Sequence, residues 1–214
     1  MSELRLQLDG LSWYHGGDRR ALKPDRLTVG VGRPAVVLAD DAADAEIFSD
    51  VLLGQTWPVG GRIRISGREV TTLPSEERGI ALVPAGGGLL PHMTVEQNIG
   101  FGTLRRHGED FRRGQVNYVA ERLKIRGLLT LRPHELPPDD RLRVALARAM
   151  CHWQGARAVV IEDHTGHPSC HAAVSESRKA YPDLPILIVS DAPHRVETLR
   201  TPATSWEIVD AVES

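Results

Sequence analysis

The segment "GRIRISGREVTTLPSEERGIALV", from Gly61 to Val83, contains two different strand patterns separated by a charged linker. Residues 62–66, "RIRIS", alternate between polar and apolar side chains, which is typical of a strand with one buried face. Residues 80–83, "IALV", form a short apolar run, which is typical of a parallel strand buried on both faces. The segment therefore predicts both kinds of strand within one chain.

The same patterns recur on both sides of this segment. Further strands are predicted at 4–8, 35–39, 158–161, 186–189 and 206–210. Helical spacing of apolar residues lies between them, and strands that alternate with helices indicate a mostly parallel sheet covered on both faces. From about residue 86 to 150 two helical patterns occur without a clear strand. We therefore predict one domain over 1–214 with a helical subdomain inserted at 86–150.

Composition excludes several classes of protein. The 214 residues suffice for one α/β core, and a formal charge of -2 gives no sign of a nucleic-acid partner. Two cysteines do not make a disulfide framework, and no apolar run is long enough to cross a bilayer. We expect a cytoplasmic protein whose association with a membrane would depend on a partner.

Three segments, in the same order as in a known family, resemble the nucleotide-binding subunit of ABC transporters, the ATP-binding cassette. Residues 61–83 resemble the segment before that family's Q-loop, "LLPHMTVEQNIGFG" (89–102) resembles the segment after it, and "RVALARAM" (143–150) resembles the helix after the LSGGQ signature. The resemblance implies an α/β P-loop NTPase fold with a mostly parallel sheet, helices on both faces, a small antiparallel part and the inserted helical subdomain.

The family binds the phosphates of ATP with a loop of the form G-x-x-x-x-G-K-[S/T], in which backbone amides and a lysine hold the anion. By spacing, this loop falls on Ala39, Asp40, Asp41, Ala42, Ala43, Asp44, Ala45 and Glu46. Ala39 and Asp44 replace the glycines, Ala45 the lysine and Glu46 the hydroxyl residue. At about 5 Å and an effective dielectric of about 20, each carboxylate would repel a phosphate charge by roughly 3 kcal/mol. We predict instead that Asp41 or Asp44 caps the following helix.

The other nucleotide motifs of the family are also altered here. The Q-loop glutamine corresponds to Ala85, and the signature reads "LPPDD" at 136–140. Prolines cannot donate amide protons, and Asp139 and Asp140 would repel phosphate while being good helix caps.

The end of the Walker B strand carries Glu162 and Asp163, which reverse the family's Asp-Glu order, and Asp191 replaces the switch histidine. Together with Ala85 these are vestigial catalytic positions, so none of the catalytic motifs is intact. The carboxylate pair could still hold a cation.

Two further features allow alternative interpretations. Tyr14 corresponds to the aromatic residue that stacks on adenine in the family, although Trp13 and Tyr14 could instead pack within the antiparallel sheet. The run "HTGHPSCH" offers His164, His167, Cys170 and His171 as metal ligands, but its spacing matches no known motif and equally fits a solvent-facing loop.

We therefore predict a catalytically degenerate subunit, a pseudo-ATPase, that docks on a membrane permease as scaffold or regulator and needs no cofactor. It would lie at the inner face of the membrane, as a homodimer or a heterodimer with another ABC-type subunit. One alternative is a weak or asymmetric ATPase that uses ATP and Mg²⁺ to drive transport. A second alternative is a metal- or small-ligand-binding protein that reuses the fold.

Overall fold

The computed structural model describes residues 4–30, 34–101, 108–151, 156–163, 169–192 and 203–209. The strands are β1 Leu6–His15, β2 Asp18–Lys23, β3 Arg26–Val29, β4 Ala35–Leu38, β5 Gly60–Ile65, β6 Arg68–Glu69, β7 Ile80–Val83, β8 Ala158–Glu162, β9 Ile186–Ser190 and β10 Ala203–Val209. The α-helices are α1 Ala42–Leu53, α2 Ser75–Arg78, α3 Val95–Gly100, α4 Glu109–Arg122, α5 Pro138–Met150 and α6 Ser169–Ala180, with short 3-10 turns at Ala85–Gly87, Arg126–Leu128 and Pro133–Glu135.

In the described residues, ten strands form one sheet in the order β6-β5-β1-β2-β10-β4-β9-β8-β7, with β3 also beside β1. The run from β10 to β7 is parallel, whereas β1, β2, β3, β5 and β6 pair antiparallel. β10 joins the two parts by pairing antiparallel with β2. The predicted parallel core and antiparallel part are thus both confirmed, although the antiparallel part has more strands than expected.

Alternate residues of the parallel strands point to opposite faces of the sheet and contribute side chains to two hydrophobic cores. One core contains side chains from α3, α4 and α5, together with Val36, Val159, Ile161 and Ile188. The other contains side chains from α1 and the antiparallel strands, together with Val37, Val160, Leu187 and Val189. Helices therefore cover both faces, as the apolar strand runs predicted.

The described chain between β7 and β8 consists of helices joined by turns and irregular segments. It contains α3, α4 and α5, and no strand interrupts its described residues, 84–101 and 108–151. The apolar stripe predicted for α4 is buried at Val116, Val119, Ala120 and Leu123. This segment therefore packs its helices onto one face of the parallel sheet.

A buried arginine fixes the position of α1. The Arg78 guanidinium donates hydrogen bonds of 2.6–3.0 Å to four carbonyl oxygens, those of Val51, Leu52, Thr71 and Leu73. Gly54, with φ of 80°, ends α1 directly against it, and an added Cβ would lie 2.5 Å from the guanidinium. The C-terminus of α1 is therefore tied to the segment that leads into β7, and its opposite end faces the candidate site.

Candidate functional site

In the turn from β4 into α1, a side chain of the protein accepts a hydrogen bond from a free backbone amide at the start of the helix. Asp41 adopts an extended conformation and caps α1, and its Oδ1 atom accepts a hydrogen bond of 2.9 Å from the backbone N–H of Asp44. Helix N-termini carry free amides and a partial positive charge, so a carboxylate is favourable there. The structure confirms the predicted capping by Asp41, and Asp44 has a different role.

Asp44 lies at the centre of a cluster of charged groups. It is only 1% exposed, its Oδ1 atom lies 3.1 Å from His15 Nε2, and its Oδ2 atom lies 3.8 Å from Arg20 Nη2. Arg20 also donates from Nη1 to Asp40 Oδ2 at 2.9 Å. Burial raises the pKa of the Asp44 carboxyl, and the neighbouring Arg20 and His15 only partly offset this effect.

The two basic residues of this cluster come from the β1–β2 hairpin, and no motif in the sequence predicts them as site residues. In the hairpin register His15 pairs with Asp18, and Trp13 pairs with Arg20. The buried Trp13 ring packs on Phe48 of α1 with ring centroids 5.0 Å apart, which holds the hairpin against the helix. The two glycines after His15 were the available signal, because such a pair between short strands indicates a hairpin.

The two aromatic residues of β1 differ in burial because neighbouring residues of a strand face opposite ways. Trp13 is fully buried, which confirms the packing interpretation for this residue. The same interpretation is wrong for Tyr14, which is 55% exposed. The Tyr14 ring is thus accessible and adjacent in sequence to His15, and its stacking on adenine stays a prediction.

The vestigial catalytic positions lie at or just after the carboxyl ends of the parallel strands β7, β8 and β9. Glu162 Oε2 accepts a long hydrogen bond of 3.4 Å from the backbone N–H of Ala85. Asp163 is buried, and its carbonyl oxygen accepts a 2.7 Å hydrogen bond from the hydroxyl of Ser190, the residue before Asp191. The carbonyl of Ser190 in turn accepts from the N–H of Ala39 at 2.8 Å. The structure therefore connects these positions to the turn that precedes α1.

The helix after the "LPPDD" segment begins differently from the prediction. Its N-cap is Pro137, for which the described chain shows no side-chain capping bond, and Pro138 is the first helical residue. The prediction that Asp139 and Asp140 cap the helix is therefore wrong, because the two prolines occupy the cap and the first position. Both acids fall in the first turn, where their charge complements the helix dipole, and Asp140 also lies 3.3 Å from Arg143.

The segment between β7 and α3 is held by side chains of two helices. Arg148 of α5 donates to the carbonyls of Gly87 and Gly88, at 3.0 and 2.7 Å. Asn98 of α3 is fully buried and bonds both the N–H and the carbonyl of Leu90, and the carbonyls of Met93 and Thr94. The segment thus has a defined shape that depends on protein groups, and Phe101, directly after α3, presents a half-exposed ring.

The histidine-rich run lies mostly outside the described chain. His164 and His167 are not described, and for Cys170 and His171 only the helical backbone of α6 is described. Elsewhere in the described residues, no group of three or more histidine, cysteine, aspartate or glutamate side chains could hold a metal ion. The metal site therefore stays a prediction. No described helix is long and apolar enough to cross a membrane.

Known proteins resemble this chain in sequence and in fold. WtpC of Archaeoglobus fulgidus, a molybdate/tungstate import ATP-binding protein, is 39% identical over 115 residues, which cover 54% of this chain and 48% of WtpC. UgpC of Escherichia coli K12, an sn-glycerol-3-phosphate import ATP-binding protein, is 33% identical over 151 residues, which cover 70% of this chain and 42% of UgpC. The chain thus spans less than half the length of these relatives.

Solved structures share the fold at low sequence identity. CbiO1 from Clostridium perfringens, part of an ABC transporter complex, has a TM-score of 0.70 at 18% identity and covers 89% of this chain and 79% of its own. The ADP conformation of MJ1267, an ATP-binding cassette of an ABC transporter, has a TM-score of 0.72 at 17% identity and covers 92% and 84%. These neighbours confirm the predicted P-loop NTPase fold.

A family profile described as ABC transporter matches residues 48–159. The match begins just after the turn at 39–46 and ends just before Glu162, so both of these regions lie outside it. It includes Ala85 and the "LPPDD" segment. Because the matched residues make up more than half of the 214, the chain belongs to the ABC transporter family.

Proposed function

We propose that this chain is an ABC-type subunit that docks on a membrane permease and acts as a scaffold or regulator without hydrolysing ATP. We further propose that 1–214 form one ABC-ATPase-like domain, with the helical segment 86–150 inserted. The observation that carries the proposal is the filled N-terminus of α1, where Asp41 bonds the helix amide and Asp44 is buried against His15 and Arg20.

A nucleoside triphosphate would lie beside negatively charged side chains in this turn. It would have to displace the Asp41 carboxylate from the amide of Asp44 and lie beside the exposed acids Asp40 and Glu46. The nearby cation, Arg20, is already bonded to Asp40, and the position of the family's lysine is Ala45. Each carboxylate would repel a phosphate charge by roughly 3 kcal/mol, which argues against tight binding.

The segment from residue 88 to 101 supports docking on a permease. Asn98 and Arg148 hold it through protein hydrogen bonds alone, and Phe101 presents an exposed apolar ring at its end. The resemblance to the family implies that a permease contacts this region. The relatives WtpC and UgpC are named as import proteins, which supports a role in transport at the inner face of the membrane.

Calorimetric titration with Mg²⁺ and ATP tests the loss of nucleotide binding. We expect no saturable heat through the millimolar range and no release of phosphate. A matched variant with Ala39→Gly, Asp44→Gly, Ala45→Lys and Glu46→Ser restores the family's loop residues and serves as the comparison. Micromolar binding and turnover by the native chain would contradict the proposal.

Co-purification with a permease subunit of an ABC-type importer from the same organism tests the docking. We expect Phe101→Asp to abolish the complex, because a buried charge in the contact would remain unpaired. Trp57→Asp changes an aromatic residue outside the 88–101 segment that is more exposed than Phe101 and is the control. If neither variant loses the complex, the contact with the permease lies elsewhere on the chain.

We also propose which kind of subunit pairs with this chain in the head-to-tail dimer of the family. That arrangement would oppose the acids of the 39–46 turn to Asp139 and Asp140 of a second copy. We therefore favour a heterodimer with a more basic ABC-type subunit over a homodimer. Sedimentation of the isolated chain as a stable dimer would contradict this preference.

A weak or asymmetric ATPase remains the second candidate function, because Glu162 and Asp163 leave two carboxylates at the end of β8 and Tyr14 is exposed. ATP and Mg²⁺ would then be the cofactors, and Glu162→Gln would abolish turnover. A third candidate, metal binding through the histidine-rich run, predicts stoichiometric metal in protein purified without a tag.

A further inference from the structure

The β1–β2 hairpin contacts α1 through an apolar pair and a polar pair. The apolar pair is Trp13 on Phe48, and both side chains are fully buried. The polar pair is His15 and Asp44, whose Nε2 and Oδ1 atoms lie 3.1 Å apart. His15 is the last residue of β1, and Asp44 belongs to the first turn of α1. The polar pair therefore holds the tip of the hairpin against the start of the helix.

The Asp44 carboxylate is buried with few partners. Apart from its contact with His15, the Oδ1 atom has no hydrogen-bond partner among the residues that the structure describes. The Oδ2 atom lies 3.8 Å from Arg20 Nη2, which is longer than a hydrogen bond. An ionised carboxylate in this position is costly. One added proton, on the imidazole or on the carboxyl, would bring the pair of His15 and Asp44 to a net charge of zero and reduce that cost.

The permanent cation beside this pair is shared with another acid. Arg20 donates to Asp40 at 2.9 Å as well as facing Asp44, so its charge acts on two carboxylates. Burial raises the pKa of the Asp44 carboxyl, and Arg20 and His15 offset this effect only in part. Burial and charge therefore both favour the uptake of a proton by the pair. Further acids on the hairpin, at the start of α1 and at the ends of the strands that α1 covers are Asp18, Asp41, Glu46, Glu162, Asp163 and Asp191.

We propose that His15 and Asp44 bind one proton between them and that this proton stabilises the attachment of the β1–β2 hairpin to α1. The proton comes from solvent and lies on the imidazole, which gives an ion pair, or on the carboxyl, which gives a neutral hydrogen bond. Its loss leaves a buried charge beside Asp40 and weakens the contact at the hairpin tip. The site is separate from the proposed function and does not depend on it.

The direction of the pH effect follows from linkage. A proton that the native pair holds more tightly than the unfolded chain stabilises the native contact at low pH, and this stabilisation is lost as the pH rises. Histidine ordinarily changes its charge between about pH 5 and pH 8, so the attachment should weaken across this range. The exposed ring of Tyr14, next to His15 in β1, would move with the hairpin.

Nuclear magnetic resonance of the full chain, with labelled histidine nitrogens and carboxyl carbons, detects the proton directly. We expect the signals of His15 and of the Asp44 carboxyl to report the same titration step, because coupled groups titrate as a pair. In Asp44→Asn, His15 should bind its proton about tenfold more weakly, since a negative charge close to Nε2 is removed. A carboxyl signal that does not respond at the step of His15, or an unchanged proton affinity in the variant, would overturn the proposal.

Hydrogen exchange at the amides of β2 measures the attachment of the hairpin. After correction for the intrinsic effect of pH on exchange, we expect protection to fall about tenfold between about pH 5.5 and pH 8.5. His15→Gln keeps a nitrogen donor for Asp44 but takes up no proton, so its protection should be nearly independent of pH. His134→Gln changes an exposed histidine of the helical segment and should keep the native dependence.

The proposal fails if protection of the native hairpin is constant over this range or increases with pH, or if His15→Gln keeps the native dependence. If His15→Gln does not fold, the resonance titration of the native chain decides, because it needs no substitution. ATP is absent from every measurement, so failure here leaves the proposed function unaffected, and the reverse also holds.

Discussion

Four main-chain carbonyl oxygens converge on the buried guanidinium of Arg78. Two of them belong to the last turn of α1, whose carbonyls have no partners within the helix. Burial lowers the pKa of Arg78, which shows that its charged form is costly to bury, yet arginine stays protonated at neutral pH. The hydrogen bonds to the carbonyl groups must offset this cost.

We therefore expect Arg78→Met to lower the free energy of unfolding by about 3 kcal/mol or more, because several buried carbonyls lose their donor. Urea denaturation measures the change. Arg126→Met is the control, since Arg126 is exposed and, among the described residues, forms an ion pair with Glu121 alone, and it should cost no more than about 0.5 kcal/mol. Equal losses in the two variants would contradict the role assigned to Arg78.

The buried carboxyl of Asp44 predicts how the stability of the protein changes with pH. Burial raises the pKa of its carboxyl above the ordinary value of 3.8, so the native state binds this proton more tightly than the unfolded chain does. The native protein should therefore lose stability from this group as the pH rises above that value. Asn at position 44 carries no charge and should not show this loss.

We expect Asp44→Asn to be about as stable as the native chain in acid and more stable near neutral pH, measured by urea denaturation across this range. Asp41→Asn retains a capping oxygen and is the matched control. If the advantage of Asp44→Asn instead shrinks as the pH rises, the attraction of Arg20 and His15 outweighs the cost of burial.

Sequence patterns predicted only part of this cluster. Asp41 was predictable as a cap because it directly precedes an apolar helical pattern. Arg20 and His15 were not, because their contacts to Asp40 and Asp44 connect residues 20 or more positions apart. Only the pairing of two strands and the packing of Trp13 on α1 bring them together.

At the scale of elements, prediction was accurate where a strand is buried on both faces. The apolar runs that became β4, β7, β8 and β9 were located within one residue at each end. β2 and β3 were missed because "DRRALK" and "RLTV" are short and partly charged, and their strand form depends on pairing with β1. The strand form of β2 and β3 thus depends on a tertiary partner that local patterns do not show, unlike that of β1 and β5, which alternate between polar and apolar residues.

A side chain of α3, Asn98, allows a test of how the segment between β7 and α3 is held in place. Asn98→Ala should leave the N–H of Leu90 without its acceptor and remove one donor from the carbonyls of Leu90, Met93 and Thr94, and we expect a loss of about 2 kcal/mol. Hydrogen exchange at Leu90 should also become faster, because its amide would be exposed by local opening.

Gln97→Ala is the control for this change, since it removes only one bond of the Thr94–Gln97 capping box and should cost about 0.5 kcal/mol. The prediction is wrong if exchange at Leu90 stays slow in Asn98→Ala.

At the scale of the whole molecule, the order of the patterns along the chain predicted the fold class, because alternating strands and helices have few compact solutions. The site is different, since its chemistry depends on which side chains fill one turn. Ala45 could be identified as the lysine position because the resemblance to the family places its phosphate loop here, whereas the pairing of Asp40 with Arg20 required the folded chain.

Thermal unfolding provides a prediction for the whole chain. A ligand at 100 times its dissociation constant would stabilise the native state by about 2.7 kcal/mol and raise the midpoint by several degrees. We expect no shift when ATP is added with Mg²⁺ in the millimolar range, because the turn at 39–46 offers no cation. Mg²⁺ alone is the reference, and a reproducible rise with ATP would contradict the proposed loss of binding.

The two hydrogen bonds from Arg148 to the carbonyls of Gly87 and Gly88 have a mechanical consequence. They tie the turn after β7 to the C-terminal end of α5, and the "LPPDD" segment lies at the opposite end of that helix. We therefore expect a displacement of the turn to shift the whole helix and so to move this segment.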